Sequence, residues 1–177
     1  MELIDNIQKT FAEDLRSELT TGSHMSIAAS CFSIYAYQEL RKELEGIEEL
    51  RFIFTSPTFI TDKANKEQRE FYIPHLNRER SLTGSEFEIL LRNELTQKAI
   101  ARECAEWIRK KVRFKSNCTK ENMMGFGVVD NCAYMPLTGF TTVELGVERG
   151  DNAYTMIQKS EAPFSQSYTQ QSLLCIF

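Results

Sequence analysis

Apolar residues recur near the start of the chain as Leu3, Ile4, Ile7, Phe11, Leu15 and Leu19. Steps of about three and four residues lay such positions along one helix face, so an amphipathic helix is predicted over roughly the first twenty residues. The turn TTGS ends it. The stretch HMSIAASCF is short, apolar and built of small residues, and reads as a buried strand. SIYAYQELRKELEGI returns to helical spacing, with Gly46 as its stop. ELRFIFTS is the next strand, closed by Pro57. Strand, helix and strand in this order predict a right-handed crossover between parallel neighbours.

Residues 61–95 are polar and charged without a clean period, and predict a surface excursion, part helix and part loop. TQKAIARECAEWIRKKV, Thr96 to Val112, is the clearest helix. Thr96 stands at its N-cap, Ile100, Cys104, Trp107 and Ile108 share a face, and positive charge gathers at its C-terminal end. VRFKS follows as a strand. NMMGFGVV and CAYMP read as two strands joined by a tight Asp130-Asn131 turn. NAYTMIQKS is a further strand and the C-terminal segment a helix. Alternating helices and strands predict an α/β sandwich with helices on both sheet faces.

Composition narrows the class. The 177 residues are 42% hydrophobic and 26% charged, which suits one folded domain spanning residues 1–177 and excludes a disordered chain. A net charge of -4 argues against a uniformly cationic surface and leaves room for a local basic face. Cys31, Cys104, Cys118, Cys132 and Cys175 form no CxxC pair and follow no signal peptide, which predicts free thiols in a reducing cytoplasm. No apolar run approaches the ~18 residues of a membrane span. SQSYTQQSLLCIF is amphipathic and lacks a helix stop, so the chain is expected to be a fragment of something longer.

Candidate chemistry is sparse. His24 stands at a strand entrance and His75 follows a proline, and a lone histidine is usually a surface or cap residue. No His/Cys cluster has zinc spacing, so no metal is expected. GFGVVDNCAY lacks the third glycine and the helix of a phosphate loop. Glu144, Glu148 and Asp151 follow the Gly-Phe-Thr turn, either as a solvated edge or with one of them orienting a site residue. Arg109, Lys110, Lys111, Arg113, Lys115 and Lys120 form the densest basic run, with Trp107 and Phe114 interleaved. Such a run is either a solvated helix end or a track for a nucleic-acid backbone.

These residues together resemble the phospholipase D superfamily, most closely the phospholipase-D-like domains at the N-terminus of bacterial Swi/Snf-type helicases. The likeness is carried by AASCFSIYAYQEL, LRFIFTS, SLTGSEFEILLRNELTQKAIARECAEWIRKKVRFKSN and NMMGFGVVDN…YMPLTGFTTVELGVERGDNAY, and spans nearly the whole chain. It implies a mixed sheet with helices on both faces and a single-copy domain that dimerises. Catalytic members carry His-x-Lys on a strand. The His forms a covalent phosphohistidine, the Lys holds phosphate oxygens, and a Ser-x-Asn-x-Thr turn and a later acid support them.

Matched to that motif, Asn122 takes the His position and Met124 the Lys position. Thr141 matches the family threonine, Gly139 replaces the asparagine, and Glu144 or Glu148 stands for the later acid. An amide is a poor nucleophile toward phosphorus and a thioether cannot neutralise a phosphate oxygen. The resemblance therefore implies a non-catalytic or altered domain, with Asn122, Met124, Thr141, Glu144 and Glu148 lining a relic pocket. It would engage DNA or mediate assembly, with Arg109 to Lys120 on phosphates. ATP and Mg²⁺ would belong only to a downstream motor. Two other readings stand beside it. One is an active phosphodiesterase using His24 or His75 with Glu144, and the other a dimerisation module without DNA binding.

Overall fold

The computed structural model describes residues 1–55, 86–117, 122–148, 156–162 and 166, with only the backbone of 86–95. Its first departure from the pattern is at the N-terminus, which opens with a strand, β1 (Glu2–Ile4), followed by a turn and then the helix α1 (Phe11–Glu18). Local polar chemistry breaks the predicted twenty-residue helix. The Asp5 carboxylate accepts the Ile7 and Gln8 amides, each at 2.9 Å, and Asn6 sits at φ 55°. Thr10 and Glu13 form a reciprocal capping box that starts α1 afresh. Ile4 and Leu15 are still buried, so part of the apolar stripe is kept on two different elements.

β2 (His24–Ala29) lies parallel to β3 (Glu49–Phe54), registered from His24 opposite Glu49 to Ala29 opposite Phe54. The connection is two short helices, α2 (Ile34–Glu39) and α3 (Arg41–Gly46), broken at buried Leu40. The long helix α4 (Glu86–Lys111) begins ten residues before Thr96, which is therefore interior to it and not its N-cap. It passes directly into β4 (Val112–Ser116), parallel to β3. β5 (Phe126–Val129) and β6 (Cys132–Met135) form the predicted hairpin about Asp130, whose φ is 46°. The predicted strand NMMGFGVV thus begins at Phe126. β7 (Ile157–Glu161) completes a seven-stranded mixed sheet in the order β1-β7-β6-β5-β2-β3-β4.

Among the described residues, the four helices bury their apolar side chains against the same face. Phe11 and Leu15 of α1, Tyr37 of α2, Leu44 of α3 and Trp107 of α4 join Met25, Ile27, Leu50 and Phe52 in one core. The Trp107 indole packs at a tilt against Tyr37, centroids 4.9 Å apart, and donates to the Leu44 carbonyl at 2.8 Å. Ala28, Ile53, Phe126, Val128 and Ala133 form a separate buried cluster on the other face, to which no described helix contributes. Helices on both faces are thus not what the described residues display. The expectation came from the alternation of helices and strands, and the predicted C-terminal helix, apart from Gln166, lies outside the described residues. No described helix is long and apolar enough to cross a membrane.

Candidate functional site

The carboxyl ends of β2, β3 and β4 lie together, the place where α/β sheets open their ligand clefts. Backbone pairing then draws the turn after β6 to this end. The Ser30 amide and hydroxyl both donate to the Thr138 carbonyl, at 2.9 and 2.6 Å. The Phe140 amide donates to the Cys31 carbonyl and the Leu137 amide to the Gly125 carbonyl, each at 2.9 Å. Thr55 extends β3 by donating to Ala29, and Asn117 extends β4 by donating to Phe54. The rim so formed is a set of hydroxyls and amides.

Asn122 and Met124 precede β5 at this end, both exposed, Met124 by 64%. Thr141 is half-buried, and its hydroxyl accepts the Glu144 amide at 3.2 Å. Glu144 is buried and its carboxylate accepts the Thr138 amide at 2.9 Å. Burial pushes the Glu144 carboxyl above its ordinary range, and the Thr138 bond only partly offsets it. Its carbonyl holds the Asn6 amide at 3.0 Å. Glu148 accepts the Thr142 hydroxyl at 2.9 Å. Glu144 therefore fastens the turn to itself and to the N-terminal segment. Gly139, at the position where the family keeps asparagine, is closely approached by two side chains. A Cβ there would lie 2.7 Å from the Cys31 sulfur and 3.2 Å from Thr141 Cγ2.

His24 does not join this rim. His24 opens β2, and the strand from residue 24 to 30 spans about 20 Å. Glu144 binds Thr138 beside Ser30, so His24 and Glu144 lie at opposite ends of the sheet. His75 and Asp151 lie outside the described residues. Among those described, no group of three His, Cys, Asp or Glu could hold a metal ion.

The basic run divides. Arg109 and Lys110 are exposed at the end of α4. Lys111 instead donates to the Glu45 and Ile47 carbonyls and clasps the end of α3. Arg113 pairs with Glu49, Lys115 is exposed on β4, and Lys120 lies outside the described residues.

A second polar cluster is buried between α1 and the antiparallel wing. Lys159 Nζ donates to Asp14 at 3.1 Å and to Glu18 at 2.7 Å, and the Tyr134 hydroxyl donates to Asp14 at 2.7 Å. Lys9 completes the shell of Asp14. Burial raises the Asp14 pKa, but bonds from Lys9, Tyr134 and Lys159 outweigh it and leave it lowered. Burial and the bond to Asp14 push the Tyr134 phenol up. Burial pushes the Cys132 and Cys104 thiols to about 11, Cys132 with help from Glu18, so neither is a thiolate near neutral pH. With Asp14 and Tyr134 fully enclosed, this cluster holds the fold together.

No protein-family model matches the chain, and no curated protein is significantly similar to it.

Proposed function

We propose that this chain is a phospholipase-D-like domain that has lost phosphohistidine chemistry and engages DNA within a helicase-type protein. One observation carries the reading. The segment matched to His-x-Lys and the turn matched to Ser-x-Asn-x-Thr meet at one sheet end, joined by the Leu137 amide on the Gly125 carbonyl. The element order of the resemblance supports it as well, from the N-terminal helix through the long helix to the turn.

At that sheet end the motif positions carry an amide, Asn122, and a thioether, Met124, with Thr141 and Glu144 committed to holding the turn. Such a set can donate hydrogen bonds but offers neither a nucleophile nor a cation to an attacked phosphate. The phosphodiesterase reading with His24 and Glu144 is disfavoured by the length of β2 between them. Binding falls to the exposed cations, Arg109 and Lys110 with Arg113 and Lys115. The domain acts in the cytoplasm as a homodimer, with ATP and Mg²⁺ confined to a separate motor.

A salt titration of duplex DNA binding tests this. Each phosphate contact adds about 0.9 to the slope of log affinity against log salt. Replacing Arg109 and Lys110 together by alanine lowers that slope by about 1.8. An absence of binding at low salt removes the DNA reading. If sedimentation then still shows a dimer, the chain is an assembly module.

A further inference from the structure

β3 and β4 set two arginines side by side. Arg51 and Arg113 are direct register partners, with Ser26 of β2 next in the same row. The row lies on the face away from the helices, because Ala28 and Ile53, two residues along, belong to the separate cluster there. Like charges placed directly opposite across strands are unfavourable. Glu49 relieves the repulsion. Its two carboxylate oxygens take the Nε groups of Arg51 and Arg113, one each, and it is itself largely covered. Two guanidiniums thus share one carboxylate, the Arg113 side chain largely exposed and that of Arg51 partly so.

The surroundings extend the charge. Lys115 follows Arg113 on the same strand face, about 7 Å along. β4 is the last of the described strands on this side of the sheet and continues α4 without a break, so Arg109 and Lys110 lie just upstream. The cations therefore run along an edge, which suits an extended polyanion better than an isolated phosphate. Arginine forks match phosphate oxygens in pairs.

We infer that Arg51 and Arg113, bridged by Glu49, grip the phosphate backbone of DNA along β4. This rests on the DNA reading above and adds Arg51 and Glu49 to it. Glu49 is then a built-in competitor: it orders the two arginines and is partly displaced by phosphate.

The test measures binding of a fluorescent duplex across salt for the whole chain and four variants. Glu49→Gln binds severalfold tighter, with a slope steeper by about 1. Glu2→Gln removes the same charge at the opposite edge of the sheet and leaves affinity within about twofold of wild type. Arg51→Gln flattens the slope by about 0.9. Should Arg51→Gln melt early, Arg113→Gln carries the same expectation, since its side chain is 73% exposed. If wild type binds DNA while Arg51→Gln and Arg113→Gln keep its slope, or Glu49→Gln and Glu2→Gln behave alike, this inference falls and the DNA reading survives. If wild type binds no DNA, both fall. Polyglutamate that binds more tightly than DNA also overturns it, in favour of an acidic protein partner.

Discussion

Replacing Asp14 by alanine lowers the melting temperature by roughly 10 °C. The change strands Lys159 in the interior with only Glu18 as partner, and leaves the Tyr134 hydroxyl without its acceptor. Breaking a buried ion pair from one side costs about 3–5 kcal/mol, and each kcal/mol moves a domain of this size by about 2–4 °C. Removing both charges, as Asp14→Ala with Lys159→Met, is milder than Asp14→Ala alone, because no charge is then buried unpaired.

The pH dependence has a defined sign. Asp14 has a lowered pKa in the fold, so its contribution is complete above its ordinary value of 3.8 and is lost as pH falls through the folded value. Lys159 has a raised pKa: burial lowers it, and bonds to Glu18 and Asp14 more than compensate. Its contribution is present below 10.5 and is lost as pH rises through the folded value. Tyr134 is raised from 10.0 and acts in the same direction. Wild type therefore loses stability above about pH 10, and Asp14→Ala loses less of it there. Thermal melts across pH, for both variants, check this.

Gly125→Ala is the second large effect. An added Cβ would sit 1.7 Å from the Leu137 carbonyl oxygen and 3.0 Å from that of Ala28. Both are backbone atoms of packed neighbours, so the strand entrance and the turn must part. The cost reaches the upper end of the roughly 1–3 kcal/mol of overpacking, and the Leu137–Gly125 hydrogen bond goes with it. Gly46→Ala is the control. Its Cβ meets nothing closer than 3.7 Å, so melting is unchanged or slightly raised. Equal melting of Gly125→Ala and wild type would contradict the close apposition of Gly125 and Leu137.

Strands β2 and β3 were legible because short apolar runs are bounded by turn residues, α4 because Cys104, Trp107 and Ile108 share one stripe, and β4 as the alternating VRFKS that follows it. The N-terminal helix misled because Leu3 to Leu19 keep helical spacing while Asp5, Asn6 and Thr10 bend the chain between them. The Thr10–Glu13 capping box was a readable signal for the true helix start. Lys159 was also readable, since it alternates with Ile157 on the buried face of β7. The sequence offered Glu144, Glu148 and Asp151 together as candidates for an orienting acid, from their place after the turn, without choosing among them. The tie of Glu144 to Thr138, and the pairing of Ser30 with the same residue, are contacts to backbone groups and leave no pattern in residue type. Arg51 escaped notice because only the β3–β4 register sets it beside Arg113.

The most direct measurement incubates end-labelled duplex DNA with the protein at low salt, with and without divalent metal. The same samples are then run on native and denaturing gels. The account predicts a retarded complex whose strands keep their full length under every condition. Shortened strands that disappear with His24→Ala or His75→Ala would contradict it, as would DNA that is never retarded.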